Sequence, residues 1–256
     1  MIEIKTKEEI EIMKEGGRRH AAILSTLVSM VRPGLKTEEL EDKARELIEE
    51  GGDKAAFLNY TPQGASRPFP AALCVSVNEE IVHGIPNEGG RVLMEGDIVT
   101  LDLGLIHKGF ITDSAVTVGV GIFDEEAEQL IHIAKRALDA GVRAAIGGGH
   151  IGDIGAAIGK VVEGTGFALA EDLAGHGVGY RVHEDPYVPN TGKAGTGDEL
   201  VPGMVIAIEP MVNVGTGKIK LMKDGYTIVT RDGKRSAHFE HTVAITEKGN
   251  IILTQH

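Results

Sequence analysis

Apolar residues recur at helical spacing through the first fifty positions, at Ile10, Met13, Ala21, Leu24, Leu27, Val28 and Val31, then at Leu40, Ala44, Leu47 and Ile48. This pattern predicts a long first helix and a second that begins at Thr37 and stops at Gly51-Gly52. In the second half, Asp124 is placed to cap a helix carrying Ala127, Leu130, Ile131, Ala134 and Leu138, and Asp153 to cap a shorter one ending near Gly164. After each helix pair the apolar period turns strand-like, and one short pattern occurs twice. Glu95-Gly96-Asp97-Ile98-Val99-Thr100-Leu101-Asp102 and Pro202-Gly203-Met204-Val205-Ile206-Ala207-Ile208-Glu209 both run turn glycine, short apolar strand, then an acid six residues after the glycine. Each half, about residues 1–120 and 121–256, therefore reads helix, helix, strand, carboxylate.

An acid at the end of an apolar strand is costly to bury unless it is paired or binds a metal, so two such acids point to one shared site. Asp102 and Asp113 lie five residues either side of a turn centred between His107 and Lys108. In a symmetric antiparallel hairpin they face each other with Cα atoms about 4.5–5.5 Å apart. Carboxylates so placed repel: either a proton is shared or a cation sits between them. Acids on a hairpin are normally solvated, but Ile98, Val99, Leu101, Leu103, Val116 and Val118 mark these strands as buried. The second half supplies Glu209 at the end of Ile206-Ala207-Ile208, and Glu240 within an alternating stretch from His238 to Ile245 that resembles Asp113-Ser114-Ala115-Val116-Thr117-Val118. In Gly175-His176-Gly177-Val178-Gly179, glycines allow close backbone approach around an imidazole. Four carboxylates with one neutral histidine match the charge of two divalent cations. Oxygen donors with one nitrogen suit Mn, Fe, Co or Zn, and no thiolate enforces zinc alone.

Composition narrows the picture. The 256 residues are 42% hydrophobic and contain only nine prolines with no linker-like tract, which predicts a single domain over 1–256 with internal pseudo-symmetry. A net charge of −12 argues against general affinity for nucleic acid or an anionic membrane. No apolar run approaches the roughly 20 residues that span a bilayer, and the N-terminus lacks a signal core, so a cytoplasmic protein is expected. The single cysteine, Cys74, excludes an intramolecular disulfide, fits a reducing compartment and reads as core. His83 and His183 lie in glycine- or proline-bearing loops. His20, His107, His132, His150 and His256 read as surface or structural residues, while His238 and His241, beside Glu240, are candidates for orienting a ligand. Gly215-Thr216-Gly217-Lys218 and Gly147 to Gly149 lack Walker spacing and read as turns.

Taken in order, Val82-His83-Gly84-Ile85-Pro86, Leu101-Asp102-Leu103-Gly104, Thr112-Asp113-Ser114, Gly175-His176-Gly177-Val178-Gly179, His183-Glu184-Asp185-Pro186, Ile208-Glu209-Pro210-Met211 and Phe239-Glu240-His241-Thr242 closely resemble the type I methionine aminopeptidases. The resemblance covers essentially the whole chain. It implies an α+β pita-bread fold: a curved antiparallel sheet covered on its outer face by helices, with internal pseudo-two-fold symmetry. It also implies two divalent metal ions held by Asp102, Asp113, His176, Glu209 and Glu240, with Asp113 and Glu240 bridging. The implied reaction is removal of the initiator methionine from nascent polypeptides when the second residue is small, by a water activated at the metals. By the same resemblance Glu209 shuttles the proton, His183 stabilises the oxygen of the tetrahedral intermediate and His83 hydrogen-bonds the scissile amide.

The resemblance places the methionine pocket at Tyr60, Phe69, Cys74, Val182 and Tyr226. Two of these depart from the family, where the position of Tyr226 is commonly tryptophan and that of Val182 often a larger aromatic. The loop from Thr61 to Phe69 is longer than in some relatives. Asn78 and Ser236 match positions associated with a structural monovalent cation. The family role also implies a monomer that meets nascent chains near the ribosome, with no membrane and no specific DNA partner. The competing enzyme reading is an aminopeptidase P or prolidase, which shares fold and metals but normally adds an N-terminal domain. A binding protein that has kept the fold without hydrolysis is the competing non-enzymatic reading, and four clustered acids count against it.

Overall fold

A computed structural model describes residues 1–62 and 64–255; His256, read above as a surface or structural histidine, and Gln63 of the Thr61 to Phe69 loop lie outside the described residues. The first helix, α1 (Lys7–Met30), starts at a capping box in which the Glu9 amide donates to the Thr6 hydroxyl (3.2 Å) and the Thr6 amide donates to the Glu9 carboxylate (2.7 Å). Its buried stripe includes Met13, Leu24 and Leu27. The second helix, α2 (Thr37–Glu50), ends where the glycine pair was expected to stop it. Together they cover a core with Leu73, Val75, Leu101 and Leu103. In the second half α3 (Glu125–Ala144) is capped by Asp124, whose carboxylate accepts from the Ala127 amide at 2.9 Å. The next helix, α4 (Ile151–Val162), begins at His150, so Asp153 is not its cap residue as expected. Asp153 lies three residues further in and reaches back to accept from the His150 amide at 2.7 Å, the other half of a capping box. These two helices pack on Ile206, Ile208 and Val243 in a core of their own.

All strand pairings are antiparallel among the described residues. In the first half Ile98–His107 and Phe110–Gly119 form one long hairpin, flanked by Leu73–Val77 and Lys54–Ala55. The second half holds a five-stranded sheet in the order Gly249–Ile252, His241–Thr246, Val205–Ile208, Ala174–Gly177, Glu184–Pro189. Two expectations for the hairpin are corrected. Asp102 lies in mid-strand rather than at a strand end. Its partner across the ladder is Ala115, and that of Asp113 is Gly104, so the two acids are not directly opposed. The reason is the turn: Lys108 and Gly109 both have positive φ (48° and 89°) and form a two-residue connection between His107 and Phe110, which moves the centre one residue along. Since side chains alternate with a period of two, Asp102 and Asp113 remain diagonal neighbours on one face.

A polar seam joins the halves. Thr242 Oγ1 accepts from the Asp113 amide (2.8 Å) and donates to the Asp113 carbonyl (2.7 Å). Beside it the Glu240 amide donates to the Ala115 carbonyl (3.0 Å), and Ser114 Oγ donates to the Glu240 carbonyl (2.7 Å). One residue pair further, Thr117 Oγ1 donates to the His238 carbonyl and accepts from the His238 amide, at 2.8 and 2.9 Å. These bonds place the acid of one half beside the acid of the other.

Candidate metal centre

The seam forms the floor of a cavity of about 670 Å³. Asp102, Asp113, His176, Glu209 and Glu240 all line it. One ligand atom from each of Asp113, His176 and Glu240 lies within 4.8 Å of the others. His176 is on Ala174–Gly177, and the glycines around it are dictated by space. A Cβ at Gly175 would stand 2.2 Å from the Ala207 carbonyl oxygen, and one at Gly177 would stand 2.1 Å from that of Asp185. The His176 Nδ1–H donates to the Gly177 carbonyl at 2.9 Å, which leaves the Nε2 lone pair 3.4 Å from Glu209 Oε1. Glu209 follows Val205–Ile208, and its other oxygen is 3.6 Å from His238 Nε2. His238, considered above as an orienting residue, thus faces a carboxylate of the site. His241 points elsewhere, with its Nδ1 3.1 Å from the Thr254 hydroxyl.

Burial pushes the Asp102 carboxyl up to about 7. Asp113, Glu209 and Glu240 are also raised, first by burial and then by the neighbouring carboxylates. Burial lowers His176 to about 3, so the imidazole is neutral with a lone pair to give. Oδ1 of both Asp102 and Asp113 is buried without a hydrogen-bond partner. Clustered carboxylate oxygens without hydrogen-bond partners on a buried floor, together with one neutral nitrogen, are the donor set of a divalent cation that prefers mixed O/N ligation. The residues fit the group.

The cavity walls carry the rest. His83 has φ +60°, a strained value for a non-glycine residue, and Thr227 Oγ1 donates to its carbonyl at 3.3 Å. Burial lowers its imidazole to about 4. His183 sits at the mouth, its Nδ1 2.9 Å from the Tyr60 hydroxyl and its ring 4.4 Å from that of His176, centroid to centroid. Tyr60, Phe69, Cys74, Val182 and Tyr226 line the same cavity. Cys74 stands opposite Asp102 in the ladder, and burial pushes its thiol up. The Phe69 and Tyr226 rings meet edge to face at 5.1 Å, and the Tyr226 hydroxyl donates to the Arg67 carbonyl. Phe57, Val82 and Met211 also line the wall; the last two stand in motifs quoted above without a role there, and nothing in sequence spacing marked Phe57. Asn78 and Ser236 lie together away from the cavity, the Ser236 amide donating to the Asn78 carbonyl at 2.8 Å.

The model of metallopeptidase family M24 matches residues 11–247. The chain belongs to metallopeptidase family M24. Among M24 relatives, the methionine aminopeptidase of Clostridium perfringens is 44% identical over 254 residues, covering 99% of each chain. Methionine aminopeptidase 1 of Bacillus subtilis is 43% identical over 255 residues and 100% of both. The crystal structure of the Thermotoga maritima methionine aminopeptidase superposes with a TM-score of 0.95 at 42% identity, over 100% of both chains. The prolidase of Pyrococcus furiosus superposes at 0.77 with 24% identity over 99% of this chain and 65% of its own, which shows a shared fold alone. The fold is the α+β pita-bread fold of M24, and M24 membership accounts for the carboxylate-rich floor as a divalent-metal site.

Proposed function

We propose that the chain is a methionine aminopeptidase: one catalytic domain, residues 1–256, that removes methionine from nascent polypeptides in the cytoplasm when the second residue is small. The observation that carries this reading is the convergence of five ligand-type side chains on the floor of a cavity with an apolar wall and two histidines above it. The substrate named for the relatives at 43–44% identity supports the same reading.

Asp102, Asp113, His176, Glu209 and Glu240 would hold two divalent ions, of Co, Mn, Fe or Zn type. When bound, such ions supply Lewis acidity toward a carbonyl and acidify water. Glu209 is the acid best placed to move a proton, because its side chain is 12% exposed and stands between His176 and His238. It accepts a proton from the attacking water and returns it to the leaving amine. His183 Nε2 donates to the carbonyl oxygen, which carries the negative charge of the tetrahedral intermediate, with Tyr60 hydrogen-bonded to its Nδ1. His83, neutral at working pH, hydrogen-bonds the scissile amide. The unbranched methionine side chain lies along Tyr60, Phe69, Cys74, Val182 and Tyr226. Asn78 and Ser236 are offered as neighbours of a monovalent cation.

The test is release of free methionine from Met-Ala-Ser with each of Co, Mn, Fe and Zn, beside Ala-Pro-Ser. Faster cleavage of Ala-Pro-Ser would move the chain to the proline-specific branch, and no cleavage of either under any metal would leave it a binding protein.

A further inference from the structure

The 179–184 loop carries Val182 to the apolar wall and His183 to the cavity mouth, and behind it lies a buried ion pair that the chemistry above does not use. The Lys5 and Glu184 side chains are 1% and 0% exposed. An ionised pair this dry is weak evidence for stability, because apolar side chains of similar volume commonly serve as well; a fixed geometry is what the charges can add. Glu184 Oε1 accepts from the Tyr180 and Arg181 amides at 2.6 and 2.8 Å, which closes the loop on itself. Its other oxygen takes the Lys5 ammonium.

The segment bearing Lys5 is itself anchored. The Lys5 amide donates to the Gly203 carbonyl at 2.8 Å. Around it, Arg181 pairs with Glu3 (2.7 Å) and the Tyr180 hydroxyl donates to Glu9 (2.9 Å). The Lys5 ammonium lies 4.9 Å from the Tyr180 ring centroid. Gly179, at φ +147°, makes room: a Cβ there would stand 2.5 Å from Lys5 Cε.

We propose that Lys5 is a positioning residue for His183: its ammonium, sealed against Glu184, fixes the 179–184 loop from behind so that His183 and Val182 face the cavity. The proposal rests on the reading of His183 as the group that meets the substrate oxygen.

The holoenzyme is compared with Lys5→Met and Glu184→Gln, each alone and combined with His183→Ala, for Met-Ala-Ser turnover, bound metal and melting temperature. Lys5→Met should lower kcat about 10-fold or more, below the roughly 10²–10³ that follows loss of one oxyanion-stabilising donor, with metal content unchanged. In the His183→Ala background the same change should alter kcat by less than about 2-fold, since residues acting through one another are not additive. Wild-type kcat in Lys5→Met, or an equal further loss in the His183→Ala background, would overturn the proposal. Should Lys5→Met not fold, Glu184→Gln keeps an acceptor for both loop amides and carries the same comparison. A readout independent of turnover separates this proposal from the functional reading. The His183 imidazole resonances should shift in Lys5→Met while those of exposed His132 stay, and unshifted His183 resonances reject the clamp whatever the wild type cleaves.

Discussion

The two halves bring the same motif to the site in different ways. In the first half, both acids stand on one uninterrupted hairpin of ten-residue strands, held on one face by the pleat, and Oδ1 of each is buried without a partner. In the second half the strands are short and broken: Glu209 follows Val205–Ile208, and Glu240 sits between Ser236–His238 and His241–Thr246. Glu240 is dry, at 2% exposure, but the Glu209 side chain is 12% exposed and touches two imidazoles. A regular hairpin fixes charge, whereas a strand end leaves a carboxylate room to exchange a proton. On the proposed mechanism, the first half thus supplies the static part of the site and the second half a share of the moving part.

The sharpest way to break this division is to neutralise one acid of each kind. Asp113→Asn should lose bound metal and activity together, by about 10³-fold or more, because the charge stabilisation a metal supplies amounts to several kcal/mol. Glu209→Gln, which alters a group proposed as both ligand and proton shuttle, should bind its ions more weakly, and once they are restored at saturating metal it should still turn over about 10²–10⁴ more slowly, the usual contribution of a positioned acid–base group. Metal content by mass spectrometry and kcat on Met-Ala-Ser decide it. Matching profiles for the two variants would erase the distinction. His183→Ala should cost about 10²–10³ in kcat with metals retained, and metal loss in that variant would assign the histidine to the floor rather than the mouth.

A smaller effect is thermal and common to both halves. Asp102 titrates at about 7 in the fold, raised from 3.8 by burial, and the other three acids are raised in the same direction. A raised folded pKa gives stability that is complete below the unfolded value and is lost as pH rises through the folded one. Metal-free protein should therefore melt at least about 2–4 °C higher at pH 6 than at pH 8, the shift that 1 kcal/mol produces in a chain of this size. Added divalent metal should reverse that slope. Calorimetry of the chelated and loaded protein measures both, and a flat chelated profile would mean that the floor acids do not share one dry site.

Much of this was legible before the fold. Apolar period located the four helices among the described residues, Asp124 marked the start of the third, and buried neighbours marked Asp102 and Asp113 as unusual. The face-to-face geometry failed because Lys108 adopts a positive φ, which turned the chain one residue later than the symmetric reading assumed. Asp153 was misplaced for a local reason: a carboxylate can satisfy a helix start from the cap or from three residues inside it, and composition does not separate the two. Long-range pairs left no trace at all. Nothing in sequence spacing joins Lys5 to Glu184 or Thr242 to Asp113, since each pair is made by the packing of one half or segment on another.

The smallest expected effect lies where both halves build one wall. Phe69 and Cys74 come from the first half, Val182 and Tyr226 from the second. Valine at 182 leaves more room than an aromatic ring, while the edge contact and hydroxyl anchor hold Tyr226 in place. One methylene in an apolar pocket is worth only about 10–200-fold in discrimination, so the wild type should accept norleucine or leucine at the first position within that range of methionine. Val182→Phe should narrow this tolerance without changing the preference for Gly, Ala or Ser at the second position, which the proposed reading assigns to crowding from His83 and the floor. An X-Ala-Ser series run beside a Met-X-Ser series on both proteins tests the two positions separately. If Val182→Phe altered second-residue preference as much as first, or if wild type cleaved Met-Phe-Ser as fast as Met-Ala-Ser, then pocket and floor would not be independent, and the division between the halves would fail at the substrate itself.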